Sequence, residues 1–174
     1  SQEDSERIVS DTQIKDWLNI ALLLLREEKD LRGYVEEKGW AHCTAHTGDL
    51  LSELTSHPAL DNKDLERVLN TLSDTLMTAV DHVFVHNEDE RLAAIVITVL
   101  QRDLLPLSFY EHWLNSFIVP RGVSSWKEAF TDELWNFARM NSKTFLRSLY
   151  FFIVFGFKEE GIVKPLIYKE PLCQ

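Results

Sequence analysis

Hydrophobic positions recur with a helical period along almost the whole chain. Ser10 and Gln13 have the spacing of a capping box, and one apolar stripe follows them: Ile14, Trp17, Leu18, Ala21, Leu22 and Leu25. Asn62 precedes a second stripe: Leu65, Val68, Leu69, Leu72, Leu76, Val80 and Val83. A third stripe follows Asn87 and Glu90, which have the spacing of another helix start: Leu92, Ile95, Val96, Val99 and Leu100. The pattern predicts amphipathic helices.

Glycine, proline and helix-capping residues predict where these helices begin and end. We expect Gly33 to end the first helix, residues 38–54 to form a second, and the fourth to stop before Pro106. Ser108 and Ser125, each followed three residues later by glutamate, predict two further helix starts.

The last helical stretch is predicted over residues 126–155, with a break near Asn141. We expect its aromatic residues to lie in the core: Phe145, Tyr150, Phe151, Phe152 and Phe155.

Six or seven helices joined by short turns predict an all-α protein. The preferred architecture is an array of αα-hairpins, a HEAT-like α-α superhelix, and the alternative is a compact helical bundle. We expect one domain over residues 1–174, with a disordered lead at 1–9, helices within 10–156 and an irregular C-terminal tail at 157–174. Because the sequence does not begin with methionine, we expect a fragment of a longer helical protein.

Composition and charge narrow the possible partners. Of the 174 residues, 45% are hydrophobic and 26% charged, as is common for a globular protein, and the net charge is -10. This charge argues against nucleic acid and membrane surfaces as partners, because both are anionic. Cys43 and Cys173 stand far apart without CxxC spacing, which favours a reducing cytoplasm.

The most informative local pattern is a row of titratable residues in the predicted second helix: His42, His46, Asp49 and Glu53. On a helical wheel the row runs between two faces. The first is mostly apolar and expected in the core: Trp40, Cys43, Thr47, Leu50, Leu51 and Leu54. The second consists of small residues that would let another helix approach closely: Ala41, Ala45, Gly48 and Ser52.

Two interpretations of this row stay open. Histidines four residues apart can both reach a metal ion, and Asp49 can supply a third ligand or orient a general base. Alternatively, the row is structural, with the histidines capping neighbouring helix ends and Asp49 bonded to one of them. Under either interpretation we predict that His42 and His46 are mostly buried and that Asp49, Asp30 or another carboxylate bonds at least one of them. The glutamate of an HExxH zinc motif is absent, since position 43 is cysteine.

Two other clusters contain chemistry-bearing residues. His82, His86 and Asp89 repeat the histidine spacing, but we interpret the repeat as coincidence because Asn87 predicts a helix boundary inside it. In the preceding loop, Arg32 lies near Asp30 and Lys38 and could bind a carboxylate or phosphate.

The segment DLRGYVEEKGWAHCTAHTGDLL, residues 30–51, resembles a bacterial family known only as a domain of unknown function, and NSKTFLRSLYF, residues 141–151, is similar to its closing helix. The family signature falls on these residues: Arg32, Gly33, Lys38, Gly39, Trp40, His42, His46 and Asp49. Cys43 and Thr47 stand where the family more often has small residues. The resemblance implies an all-helical, HEAT-like fold and a further helical segment ahead of this domain, and it supplies no activity.

Our first functional hypothesis is a non-catalytic scaffold without a cofactor that binds a protein or peptide. Its candidate binding residues are Asp30, Arg32, Lys38, Trp40 and Glu53. The alternative is a small metal-dependent or acid–base enzyme that uses a divalent metal ion or a proton-transfer site. Its candidate catalytic or metal-binding residues are His42, His46 and Asp49.

Overall fold

The computed structural model describes residues 9–159 and 162–164, and within them the fold is mostly helical. The helices are α1 (Asp11–Glu27), α2 (Cys43–Ser56), α3 (Asn62–Leu76), α4 (Glu88–Arg102), α5 (Leu107–Asn115), α6 (Trp126–Ala129) and α7 (Glu133–Phe155). Two short antiparallel hairpins pair β1 (Tyr34–Val35) with β2 (Gly39–Trp40) and β3 (Phe157–Glu159) with β4 (Ile162–Lys164). The prediction of an all-α protein is confirmed.

The first four helices form two hairpins that stack on each other. Helix α1 packs against α2 and α3, and α2 packs along α4, which also contacts α7. Helices α2 and α4 run in the same direction, because contacts advance together along both: Asp49 with Arg91, Ser52 with Thr98, and the Thr55 carbonyl with Arg102. Helix α4 is therefore the central element, enclosed between α2 and α7.

The core is formed largely by the apolar stripes of the helices, as the periodicity predicts, but Trp17 of the first stripe is 43% exposed, and Val80 and Val83 of the second lie beyond the end of α3. Fully buried members come from α1, α2, α3, α4 and α7: Leu18, Leu51, Leu65, Leu69, Leu72, Leu92, Ile95 and Phe145. Trp113 of α5 closes the core and donates its indole N–H to the Leu69 carbonyl at 2.7 Å. Within the described residues, no helix is both long and apolar enough to cross a membrane.

Several helix boundaries differ from the predictions. Helix α1 ends at Glu27 rather than Gly33, and residues 38–42 form β2 and a loop instead of the start of α2. Trp40 is therefore 59% exposed rather than in the core, because it lies on a strand to which the helical wheel does not apply. Leu50 of α2, also predicted in the core, is 42% exposed.

Later boundaries differ as well. Helix α5 begins directly after Pro106 rather than at Ser108, whereas Ser125 caps α6 as predicted. Helix α7 continues through Asn141, which is buried. The Asn141 side chain accepts from the Phe84 N–H at 2.8 Å and donates to the His82 carbonyl at 2.9 Å, so this residue anchors a loop instead of breaking the helix.

The last turns of α7 correct the prediction of an aromatic core. Phe145 is fully buried, but Tyr150, Phe151 and Phe155 are exposed because they lie on the other side of the helix. Strands β3 and β4 form a hairpin where an irregular tail was predicted. Residues 1–8, 160–161 and 165–174, which belong to the predicted lead and tail, lie outside the described residues.

The small residues of α2 do admit a close neighbour. Ala45 and Gly48 are buried, and the Ser52 hydroxyl contacts that of Thr98 on α4 at 2.9 Å. A β-carbon placed on Gly48 would lie 3.2 Å from the carbonyl carbon and the Cβ of Arg91. Since part of this obstacle is backbone, α4 would have to move to accommodate a larger side chain.

Replacing Gly48 should therefore separate α2 from α4. We expect Gly48→Leu to lower the free energy of unfolding by about 1–3 kcal/mol through overpacking. Gly48→Ala should cost less, because the better helix propensity of alanine offsets part of the clash. Urea denaturation measures both changes. Glu53→Leu on the exposed side of α2 is the matched control, and equal stability of Gly48→Leu and this control would contradict the packing.

Candidate functional site

The N-terminal ends of α2 and α4 lie side by side, and each follows a residue in the left-handed conformation. These residues are His42 (φ 50°) and Asn87 (φ 65°), and neither side chain caps its own helix. A left-handed backbone is unfavourable for residues with a β-carbon. It frees the His42 ring from α2, so that its Nε2 lies 2.8 Å from the His86 carbonyl oxygen before α4.

The β1–β2 hairpin places His42 at this position. Tyr34 pairs with Trp40, and the ladder continues as the Ala41 N–H donates to the Gly33 carbonyl and the His42 N–H to the Arg32 carbonyl. The Gly39 backbone (φ 87°) permits the tight return of the chain. The RG…KGWAH part of the sequence thus forms one hairpin that ends on the first turn of α2.

A fully buried carboxylate lies beneath the hairpin. Glu88, the first residue of α4, is 0% exposed. Its Oε2 accepts the His86 backbone N–H at 2.7 Å, and its Oε1 lies 3.4 Å from His42 Nε2. Because a carbonyl oxygen only accepts, the His42 Nε2 near the His86 carbonyl carries the hydrogen. The helix N-terminus adds a favourable field for the Glu88 carboxylate.

Two buried polar atoms in this cluster have no hydrogen-bond partner. They are Glu88 Oε1 and His86 Nδ1, 4.0 Å apart. Gly33 lies directly against both, because a β-carbon there would overlap His86 Nδ1 and lie 2.7 Å from His86 Cγ and 2.8 Å from Glu88 Oε1. Only a residue without a side chain allows the hairpin to approach this closely.

Aromatic rings cover the cluster on the solvent side. Trp40 stacks on His42, with centroids 4.7 Å apart and planes at 29°, and meets His86 edge-on at 5.4 Å. Tyr34 meets Trp40 edge-on at 5.3 Å. Trp40 and Tyr34 are nevertheless 59% and 51% exposed. We call these two residues the aromatic platform.

Only part of the predicted row of titratable residues belongs to this cluster. The His42 side chain is 14% exposed, whereas His46 is exposed, so the prediction that both histidines are mostly buried is wrong for His46. Their rings are 5.8 Å apart. Asp49 pairs with Arg91 at 2.8 Å, and the carboxylate beside His42 is that of Glu88. The part of the chain that the structure describes contains no group of three or more His, Cys, Asp or Glu residues able to hold a metal ion.

The other predicted binding residues lie on the surface around the hairpin. Arg32 binds Asp30 through both carboxylate oxygens, at 2.7 and 2.6 Å, and these hydrogen bonds lower the pKa of Asp30 to about 2. Lys38 in the hairpin turn and Glu53 on α2 are exposed.

The sequence does not identify Tyr34 or Glu88 as candidate site residues, and from sequence the repeat that contains His86 is interpreted as a coincidence. Asn87 does precede the helix boundary as predicted, and Asp89 accepts from Ser148 instead of joining the histidines. Yet His86 meets His42, because the two histidine segments each come just before one of two neighbouring parallel helices. The available signal was the 40-residue spacing of the two HxxxH patterns, which matches the length of one stacked hairpin.

The fold and this cluster define an all-α protein in which a short β-hairpin closes the N-terminal ends of two parallel helices. The family model described as "Protein of unknown function (DUF2785)" matches residues 1–151, so the chain belongs to this family. Neither the curated proteins nor the solved structures contain a match.

Substitution of Gly33 tests how closely the β1–β2 hairpin packs against His86 and Glu88. We expect Gly33→Ala to lower the free energy of unfolding by about 1–3 kcal/mol, because its β-carbon overlaps His86 and crowds Glu88. His86→Ala removes the ring that is in the way. Thermal or urea unfolding of both single variants and the double variant should therefore show that the two losses are not additive. Additive losses would mean that Gly33 acts through backbone flexibility alone.

Proposed function

We propose that this protein is a non-catalytic helical scaffold that binds a peptide or protein partner at the aromatic platform. The observation that carries the proposal is Trp40, a large apolar side chain that is 59% exposed and yet held in one orientation by His42, Tyr34 and His86. Tryptophan and tyrosine dominate the energetics of many protein interfaces.

The contacts of Trp40 leave much of its side chain accessible to a partner. The His42 ring stacks on one face of the indole, yet Trp40 remains 59% exposed. A side chain fixed in advance loses little conformational entropy on binding, which favours affinity. The buried contacts of Glu88 and His86 therefore support a binding surface.

The surrounding charges favour a basic side chain on the partner. Glu36 and Glu37 are exposed in the hairpin turn beside a single lysine, Lys38, and Asp30 already pairs with Arg32. The chain as a whole has a net charge of -10. A lysine or arginine placed over the indole would gain a cation–π contact and attraction from these carboxylates.

The stacking of α1–α2 on α3–α4 supports the finer proposal of a HEAT-like α-α superhelix. We take the RG…KGWAH…AH motif as the family's binding signature, because its first half builds the hairpin and its aromatic platform. We further propose that the scaffold needs no cofactor. A cytoplasmic location remains our proposal from the low cysteine content.

Selection of peptides tests the platform directly. A random-peptide phage library is selected on the immobilised protein, and the enriched peptides are measured against variants by fluorescence polarisation. We expect Trp40→Ala to weaken their binding by about 30-fold or more, the effect of losing an interface hot spot of about 2 kcal/mol.

Trp17→Ala is the matched control, because Trp17 is also exposed (43%) but lies on α1. Binding to this variant should stay unchanged. A library without enriched peptides, or peptides that bind Trp40→Ala as well as the wild type, would overturn the proposal.

One observation favours acid–base chemistry as a second candidate: His42 Nε2 lies 3.4 Å from the buried carboxylate of Glu88. A histidine oriented by a carboxylate can act as a general base through its other nitrogen. Hydrolysis of activated ester probes that disappears in His42→Ala would support this candidate, and equal rates for both proteins would dismiss it. Elemental analysis of protein purified without a histidine tag tests the metal-dependent form of the same candidate.

A further inference from the structure

The last two turns of α7 carry an apolar surface that the rest of the described fold leaves uncovered. Its residues are Tyr150, Phe151, Val154 and Phe155, which are 50–68% exposed. Phe151 stacks on Phe155 with centroids 5.7 Å apart, and Tyr150 meets Phe151 edge-on. We call this surface the α7 strip. Phe145 and Leu149 on the other side of the helix fill the core, so the strip faces away from it.

The β3–β4 hairpin returns the chain to this strip. Strand β3 starts two residues after Phe155, and its first residue, Phe157, pairs with Lys164, the last residue of β4. Because the pairing is antiparallel, β4 runs back toward the end of α7. Lys164, the last described residue, therefore lies near the end of α7, next to the part of the helix that carries the strip.

The sequence after β4 is complementary in character to the α7 strip. Residues 165–174 read PLIYKEPLCQ, with three consecutive apolar residues, Leu166, Ile167 and Tyr168, near the start. An extended chain advances about 3.3 Å per residue, so these three lie within about 13 Å of Lys164. The strip spans only about 8 Å of helix at 1.5 Å per residue.

Charged residues further along α7 are also complementary to the C-terminal sequence. Lys143 and Arg147 are exposed, and their spacing places them on the same side of α7 as Tyr150 and Phe151. Glu170 is six residues after Lys164, about 20 Å of extended chain, and Lys143 lies about the same distance from the end of α7. An extended chain that returned along α7 would thus bring its apolar stretch level with the strip and Glu170 level with Lys143.

We propose that residues 165–174 pack in extended form, antiparallel to α7, over the α7 strip. The strip is then the docking site of the chain's own C-terminal segment. This packing removes apolar area from water, and the ion pair fixes the direction of the segment.

A nitroxide on Cys173 tests this arrangement in the full chain. Cys43→Ser leaves Cys173 as the attachment site, and Cys43→Ala serves if the serine variant lowers the melting temperature. Amide signals between Met140 and Tyr150 should lose about twofold or more in intensity relative to the reduced label, since a segment docked for most of the time dominates the average. Amide signals of α1 should not change.

The control is the same labelled protein with Ile167→Asp and Tyr168→Asp, in which the lost intensity should return. Unchanged signals on α7 in the first protein would overturn the proposal, as would losses that persist in the control. A mixture of isotope-labelled protein without nitroxide and unlabelled protein with nitroxide separates the two sources of contact. Losses in this mixture would show that the segment covers a second copy, which also overturns the proposal.

Discussion

The buried carboxylate of Glu88 is the constraint on which the site depends. Burying a carboxylate without partners costs several kcal/mol. Here the N-terminus of α4 and the His86 backbone N–H, 2.7 Å from Oε2, offset part of that cost, and the His42 imidazole lies 3.4 Å from Oε1, which has no hydrogen-bond partner. Because these groups belong to a helix, the loop before it and the β1–β2 hairpin, satisfying one carboxylate fixes three segments relative to one another.

The orientation of the exposed Trp40 side chain depends on this buried carboxylate. His42 adopts a left-handed backbone that turns its ring toward α4, and Trp40 stacks on that ring. The His42 ring thus lies between the two groups, 3.4 Å from the buried Glu88 carboxylate and stacked on the exposed indole, so the position of Trp40 depends in part on the buried cluster.

The sequence predicts what depends on local periodicity and caps. It places the core of α3, the caps at Ser10 and Ser125 and the close approach at Gly48 correctly. It misses the hairpin at residues 34–40, because that hairpin depends on Gly33 fitting against His86, a contact across 53 residues. Glu88 could not be recognised either, since acidic residues in the first turn of a helix are usually exposed.

The aromatic residues of α7 show a second limit of prediction from local sequence spacing. Helical spacing groups Tyr150, Phe151 and Phe155 correctly, but it does not determine which face of α7 the core covers. Asn141 and Ser142 decide this, because their side chains bond to backbone groups of Phe84, His82 and Leu76 and so fix the rotation of α7. These two buried polar anchors thereby fix the rotation at which Tyr150, Phe151 and Phe155 face away from the core.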